Sequence, residues 1–297
     1  MNNYSNKIDK LQNLIAKADK LVIGAGSGLS TSAGFIYDGP RFDKYFFDFK
    51  QKYGIQDMYS GGFYPFPTQA EFWAFWSRVV WINRYVPAPK DTYQKLLALV
   101  QNKDYFVITT NVDHQFQENG FDKKRLFYTQ GDYGLFEKID SDYQQTYDNY
   151  DLIKKMILAQ EFEIGQNNKL VIPANRVSMT IPQELIPRIE NHAVRLNLRI
   201  DADFVQDQGW QQAAERYKDF LSNIGSKRVL YLELGVGMNT PAIIKYPFWQ
   251  LMIENKFANY VSISQGDIYI AKQIVDRSLT IKADIDQILD DLLKEAK

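Results

Sequence analysis

Short apolar runs that end in glycine or small polar residues recur along the chain. The first covers residues 20–23 and is followed by the sequence Gly-Ala-Gly-Ser-Gly, which is typical of a buried parallel strand and a tight turn. Similar runs occupy residues 104–110, 126–129, 228–234, 259–263 and 278–281. Between these runs, apolar residues at helical spacing predict helices over about 91–102, 207–223 and 284–296. The alternation of strand and helix predicts an α/β fold with a Rossmann-type parallel sheet.

Two segments interrupt this alternation. Residues 41–90 are rich in aromatic side chains, are broken by prolines and contain a predicted helix around 71–76, so we interpret them as a helical insertion. Residues 136–201 are polar and irregular and predict a small inserted domain. The remaining segments, which are residues 1–40, 91–135 and 202–297, are predicted to form the sheet domain.

Composition narrows the class of protein. The chain has 35 basic and 36 acidic residues and no dense basic run, so nucleic acid is not an expected partner. It has no run of about 18 apolar residues and no apolar segment behind a basic N-terminus, so we expect a cytoplasmic protein without membrane association. It contains no cysteine, which excludes thiolate nucleophiles and cysteine-based zinc sites, and its only histidines are His114 and His192.

The glycine-rich segment 24–28 follows the first predicted strand. Backbone N–H groups at such a turn can approach a pyrophosphate, particularly where a helix begins. The third glycine lies at 28 rather than at the 29 that a Gly-x-Gly-x-x-Gly motif requires, so a plain turn is an equal alternative. Arg41 adds a cation that could face a phosphate or a carboxylate, the alternative being an exposed arginine without a ligand.

Polar or glycine-rich residues follow three further predicted strands, at 109–113, 130–131 and 235–237. Open α/β sheets bind their ligands at the carboxyl ends of the strands. Asn111 can both donate to and accept from a ribose, and Asp113 can support a developing positive charge, although either could instead cap a helix. Together with the first turn, these strand ends predict a cleft along one edge of the sheet.

In this order, the motifs resemble those of the sirtuin family over nearly the whole chain. The matching strings are Gly-Ser-Gly-Leu-Ser at 26–30, Thr-Thr-Asn-Val-Asp at 109–113, Gln-Gly at 130–131 and Gly-Val-Gly at 235–237. Longer strings are similar to the microbial class M sirtuins that are associated with macrodomains. These are Ile-Tyr-Asp-Gly-Pro-Arg-Phe, Tyr-Thr-Gln-Gly-Asp-Tyr-Gly, Glu-Leu-Ile-Pro-Arg and Leu-Glu-Leu-Gly-Val-Gly-Met-Asn-Thr-Pro.

The resemblance implies that NAD is the cofactor. The residues that it assigns to NAD binding are Gly26, Ser27, Gly28, Phe35, Arg41, Thr109, Gly235, Val236, Gly237, Asn239 and Ser264. Ser27 stands where sirtuins commonly have alanine, and Ser264 where asparagine is frequent. The catalytic residues that the resemblance implies are Asn111 and Gln130, which would orient the ribose, and Asp113, which would support the carboxamide of nicotinamide.

Gln130 separates this chain from deacylating sirtuins, which have a histidine base at that position. An amide cannot accept a proton at neutral pH, but it can orient the ribose for an acceptor that is already ionised, such as a carboxylate. The class M sirtuins that this chain resembles also have glutamine at this position, and they are protein ADP-ribosyltransferases. Their acceptor is a lipoylated carrier that resembles the glycine cleavage H protein. The resemblance therefore implies this activity with nicotinamide release, this carrier as partner, and a macrodomain ADP-ribosyl hydrolase as a further candidate partner.

Two other functions stay open. An NAD-dependent deacylase that removes acetyl or lipoyl groups would need a base, and His114 directly follows Asp113, where we expect it to begin a helix that points away from the ribose. A non-catalytic sensor of NAD or ADP-ribose would need only the glycine-rich strand ends. The sequence does not identify the acceptor residue, the oligomeric state or the role of the insertion at 41–90.

No metal site is expected in the small domain. Sirtuins usually carry two pairs of zinc-binding cysteines there. The positions that match them in this chain are Lys138, Asp142, Ile189 and His192, which provide no tetrahedral ligand set for zinc.

Overall fold

The structure is a computed structural model, which describes residues 3–139, 144–173, 176–238 and 241–295. Its strands are β1 Lys20–Ala25, β2 Tyr105–Thr109, β3 Leu126–Tyr128, β4 Gly131–Lys138, β5 Thr146–Asp148, β6 Glu163–Ile164, β7 Leu170–Val171, β8 Arg188–Ile189, β9 His192–Leu198, β10 Val229–Leu234, β11 Asn259–Ser264 and β12 Ser278–Lys282. Its α-helices are α1 Asn3–Lys17, α2 Ser27–Ser32, α3 Gly39–Tyr53, α4 Met58–Gly62, α5 Gln69–Val80, α6 Thr92–Val100, α7 Gln115–Glu118, α8 Tyr150–Ala159, α9 Gln208–Ser222, α10 Lys245–Glu254 and α11 Ile285–Glu295. A π-helical segment, Trp81–Tyr85, continues α5.

Six parallel strands form the larger sheet in the order β12-β11-β10-β1-β2-β3. The chain first runs from β1 outward to β3 and later returns to β10 on the other side of β1, so the strand order reverses between β1 and β10. This is the strand order of a dinucleotide-binding Rossmann sheet, in which the ligand crevice opens at the reversal point. The predicted fold class is confirmed.

Helices cover both faces of this sheet. On β1, Leu21 and Ile23 point into a core shared with α1, α6 and α11, whereas Val22 points into a second core shared with α9 and α10. This alternation is the period of two that a strand buried on both faces requires. Among the described residues, no helix is long and apolar enough to cross a membrane.

The aromatic insertion and the small inserted segment form one lobe around a single hydrophobic core. The core joins α3, α5 and α8 to the antiparallel sheet β5-β4-β9-β8, whose strand β4 begins at Gly131. Arg78 of α5 is fully buried within this lobe and donates through both terminal nitrogens to Asp48, at 2.7 and 2.8 Å, and through Nε to Gln160 at 2.7 Å. The insertion at 41–90 is therefore packed against the small segment.

Candidate active site

Two threonines tie together the carboxyl ends of three neighbouring strands. The Thr109 hydroxyl donates to the carbonyl oxygen of Ala25 at 3.0 Å. The backbone N–H and the hydroxyl of Thr129 both donate to the carbonyl oxygen of Thr109, each at 2.9 Å. Because these bonds fix the ends of β1, β2 and β3 to one another, they bring Asn111 and Gln130 to the same edge of the sheet.

The strand-order reversal is lined by residues 26–28 and 235–237, which we call the glycine crevice. The backbone N–H of Gly28 donates to the carbonyl oxygen of Gly235 at 2.9 Å. A Cβ atom on Gly235, whose φ is +62°, would lie 2.5 Å from the backbone of Gly28. A side chain there would collide with fixed backbone, so glycine is needed for the two loops to meet. Gly237 differs, because a Cβ atom on it would meet nothing within 4 Å.

Other residues assigned to NAD binding lie on both sides of this crevice. Ser27 is exposed, and Val236 is 7% exposed. Ser264, at the end of β11, accepts a hydrogen bond from the backbone N–H of Gly266 at 3.1 Å. Asn239 lies outside the described residues.

Arg41 is a partly buried cation without a carboxylate partner among the described residues. Its guanidinium donates to the carbonyl oxygen of Ile82 at 2.8 Å and to Oδ1 of Asn83 at 2.9 Å, and it lies 5.4 Å from the centre of the Phe35 ring. Burial lowers the pKa of Arg41, although arginine stays charged at neutral pH. A guanidinium held by neutral groups retains its charge for an anionic ligand.

Residues 109–114 and 129–133 form a second region, which we call the polar edge. The Asn111 side-chain amide donates to the carbonyl oxygen of Gly26 at 3.0 Å and lies 3.4 Å from the Tyr93 hydroxyl. The Ser30 hydroxyl donates to Asp113 at 2.5 Å and lies 3.0 Å from the same tyrosine oxygen. Burial raises the pKa of Asp113 to about 6. This network fixes the positions of Asn111 and Asp113 at the end of β2.

Gln130 stands at the end of β3 with its side chain partly exposed. Its amide makes no hydrogen bond to the described residues, whereas its backbone carbonyl accepts from the N–H of Arg199 at 3.0 Å. The next residue, Gly131, has a φ of +91°, and a Cβ atom on it would lie 1.9 Å from the carbonyl oxygen of Asn197. The turn is thus fixed by backbone contacts while the Gln130 amide remains available to a ligand.

The structure adds three polar-edge contacts that the sequence analysis did not predict. Asp132 is buried and accepts hydrogen bonds from Nδ1 of His114, from Nε of Arg84 at 2.8 Å and from the backbone N–H of Gly134 at 2.7 Å. Burial works to raise the pKa of Asp132, but the hydrogen bond from His114 and the charge of Arg84 bring it below its usual value. The one signal in the sequence was the position of Asp132, two residues after Gln130.

At the positions that match zinc ligands in sirtuins, Lys138 forms an ion pair with Glu190 at 2.5 Å. Ile189 is partly buried against the core of the lobe, and His192 is exposed at the start of β9. Asp142 lies outside the described residues. Within the described ranges, no group of three potential ligands that could hold a metal ion was found.

The chain is similar to known proteins in both sequence and structure. No family model matches the chain. A protein ADP-ribosyltransferase from Staphylococcus aureus is 33% identical over 297 residues, which cover 99% of this chain and 89% of that protein. A probable bifunctional ADP-ribose hydrolase/ADP-ribosyltransferase from Fusarium oxysporum f. sp. cubense is 26% identical over 247 residues, which cover 81% of this chain and 39% of that protein.

Solved sirtuin structures share the fold. Sir2 bound to an inhibitor, 2'-O-acetyl-ADP-ribose and a deacetylated p53 peptide superposes with a TM-score of 0.59 at 17% identity, over 97% of this chain and 98% of the other. Sir2 with a p53 peptide and NAD superposes with a TM-score of 0.54 at 15% identity, over the same shares of 97% and 98%. The chain therefore belongs to the sirtuin-like protein ADP-ribosyltransferases, a family of enzymes that use NAD as the donor of ADP-ribose.

Proposed function

We propose that this chain transfers ADP-ribose from NAD, with release of nicotinamide, to a lipoylated carrier protein that resembles the glycine cleavage H protein. The observation that carries the proposal is that Gln130, whose amide makes no hydrogen bond to the described residues, lies at the same edge of the sheet as the fixed amide of Asn111. Two amides at one edge of the sheet can hold a ribose by hydrogen bonds, but neither can take a proton from it. The site is therefore suited to an acceptor that needs no deprotonation at position 130.

In this proposal, the glycine crevice and Arg41 hold the diphosphate of NAD. Gly26, Ser27 and Gly28 follow β1, Gly235, Val236 and Gly237 follow β10, and Arg41 lies on α3. Bound NAD supplies a ribose whose bond to nicotinamide is activated by the positive charge of the nicotinamide ring. Asn111 and Gln130 orient the ribose, and Asp113 supports the carboxamide end.

The acceptor that this arrangement favours is a carboxylate. Asp and Glu side chains are ionised at pH 7, so they attack without a base. The relatives support the coarser part of the proposal, because both carry ADP-ribosyltransferase in their names. The Fusarium relative is also named as a probable ADP-ribose hydrolase. We propose that this chain belongs to class M and that a macrodomain ADP-ribosyl hydrolase is the partner that removes the modification.

The test is intact mass spectrometry of two substrates, each incubated with the enzyme and NAD. One is a lipoylated H-like carrier, and the other is an acyl-lysine peptide. We expect the carrier to gain the mass of one ADP-ribose and the unlipoylated carrier to gain less. Loss of the acyl group from the peptide without a carrier adduct would overturn the proposal, and NAD binding without nicotinamide release would indicate a sensor.

A further inference from the structure

The His114–Asp132 pair lies where the two halves of the polar edge meet. His114 is three residues after Asn111, and Asp132 is two residues after Gln130. The two segments run side by side, because the backbone N–H of Tyr133 donates to the carbonyl oxygen of Val112 at 2.9 Å. The imidazole therefore lies between the segments that carry the two amides.

The hydrogen bonds of Asp132 fix the protonation of this imidazole. Asp132 is held by Arg84 and by a backbone N–H, and its lowered pKa keeps it ionised, so it can only accept hydrogen bonds. Nδ1 of His114 must then carry the proton, which leaves Nε2 as the basic nitrogen in the neutral ring. A buried carboxylate orients the imidazole of a Ser-His-Asp triad in the same way.

The ring remains accessible. The His114 side chain is 27% exposed, and Nε2 has no hydrogen-bond partner among the described residues. Its backbone is in the left-handed region, with φ 63° and ψ 13°, which non-glycine residues rarely adopt. Such conformations persist where the surrounding structure holds them, and they are concentrated at functional sites. The geometry thus leaves Nε2 of His114 accessible at the polar edge, without a hydrogen bond to the described residues.

We propose that His114, oriented by Asp132, is a general base that lets this site transfer ADP-ribose to a neutral hydroxyl, either of water or of an alcohol. The nucleophile's oxygen forms a bond to the anomeric carbon of the ribose as the bond from that carbon to nicotinamide breaks. The hydroxyl proton passes to Nε2, and nicotinamide leaves as a neutral molecule. This second activity rests on the proposed NAD-dependent transfer but does not need its carboxylate acceptor.

The activity test compares nucleophiles that do and do not carry a proton. The enzyme is incubated with NAD in water alone, with methanol and with azide, and the ADP-ribosyl products are separated by mass. Azide is already an anion and needs no base. In His114→Gln we expect the water and methanol products to form about 100-fold more slowly, as for loss of a general base, and the azide product within about threefold of wild type. His192→Gln, the other histidine, is the matched control.

Asp132→Asn provides a second variant. It keeps the imidazole but removes the carboxylate that holds the proton on Nδ1, so we expect the same selective loss of water and methanol products. If all three nucleophiles slow equally in His114→Gln, the residue only positions the two segments, and the proposal is wrong. If none slows, or if the wild type yields no water or methanol product while it modifies the carrier, the proposal also fails and the transferase function stands. No nicotinamide release with any acceptor would instead overturn the proposed function.

A measurement without NAD tests the same assignment. In His192→Gln, His114 is the only histidine, so ¹⁵N NMR of the labelled protein reports its tautomer directly. We expect the neutral ring to carry its proton on Nδ1 in this protein, and loss of that preference when Asp132→Asn is added. A proton on Nε2 in the first protein would leave no free base and would overturn the proposal.

Discussion

The glycine crevice and the polar edge are neighbours at the carboxyl end of one sheet, but they are built from different parts of the chain. In the crevice, Gly28 and Gly235 meet through their backbones. At the polar edge, Asn111, Asp113 and Asp132 are fixed by side-chain hydrogen bonds. Substitutions in the crevice should therefore act mainly on folding and on the shape of the cofactor site, and substitutions at the polar edge should act mainly on the reaction.

The polar edge contains two buried carboxylates whose pKa values are shifted in opposite directions. Burial raises the pKa of Asp113 to about 6, since its partners are the neutral hydroxyl of Ser30 and a backbone N–H. Burial acts on Asp132 in the same direction, but the hydrogen bond from His114 and the charge of Arg84 lower its pKa. Asp132 thus remains a fixed anion, while Asp113 changes charge close to neutral pH.

The largest effect is expected for Gly235→Ala. The new Cβ would lie 2.5 Å from the Gly28 backbone at a residue with φ +62°. We expect the free energy of unfolding to fall by about 3 kcal/mol or more, with loss of NAD binding. Gly237→Ala is the matched control, because its Cβ would meet nothing within 4 Å, and it should change stability by less than about 0.5 kcal/mol. Urea unfolding measures the stability of the two variants, and calorimetric titration measures their affinity for NAD. Equal stability of the two variants would mean that the crevice does not require glycine at position 235.

Asp113→Asn should separate stability from activity. The folded pKa of about 6 lies above the usual aspartate pKa of 3.8, so the folded state binds the proton more tightly and loses stability as pH rises through this window. Ionised Asp113 then costs up to about 3 kcal/mol at pH 7, which the asparagine removes. We expect the variant to be more stable than wild type at pH 7, with little difference at pH 4, and slower in transfer. Urea unfolding at both pH values measures this, and a gain of the same size at pH 4 would contradict it.

The sequence was sufficient for the parts of the molecule that local pattern determines. All six strands of the large sheet were predicted from apolar runs that end in glycine or polar residues, because a strand buried on both faces is apolar throughout. The strand ends at Asn111 and Gln130 followed from the same runs. Their roles in binding and catalysis remain predictions.

Features that depend on distant partners were not predicted. The antiparallel sheet of the lobe pairs β4 with β9. A long polar segment separates these two strands in the sequence, and its pattern does not indicate the register in which they pair. Helix α10 was missed, since its buried Lys245 is accommodated only by an ion pair with Glu233 at 2.5 Å. The orientation of His114 likewise depends on Asp132, 18 residues away. No local pattern contains these contacts.

A smaller, purely kinetic effect is expected for Gln130→Ala. The amide has no hydrogen bond to the described residues, so its removal should leave the free energy of unfolding within about 0.5 kcal/mol of wild type. Transfer to the carrier should slow by about 10-fold to 100-fold, because the ribose loses an orienting group. Gln101→Ala, an exposed glutamine before β2, is the control for a truncated amide. Unchanged transfer in Gln130→Ala would mean that the polar edge does not orient the ribose through this residue.

Gln130→His tests whether a base at position 130 is sufficient for deacylation. It restores the residue that deacylating sirtuins carry, so an acyl-lysine peptide and NAD should yield deacylated product if a base at position 130 is what deacylation lacks. The expected gain is small, because the rest of the acceptor site is unchanged. Mass spectrometry of the peptide measures it. A variant that binds NAD but yields no product would show that the acceptor site itself excludes acyl-lysine.

The smallest effect is expected for Ser264→Ala. Ser264 ends β11, one strand beyond the crevice, and its hydroxyl oxygen already accepts the N–H of Gly266 at 3.1 Å. Losing that one turn bond should cost about 1 kcal/mol of stability or less, and NAD affinity should change by less than about threefold. A loss of affinity above about tenfold would mean that a side chain on the β10 side contributes as strongly as the backbone. The division between a backbone-built crevice and a side-chain-built edge would then be wrong, because both regions would bind NAD through side chains.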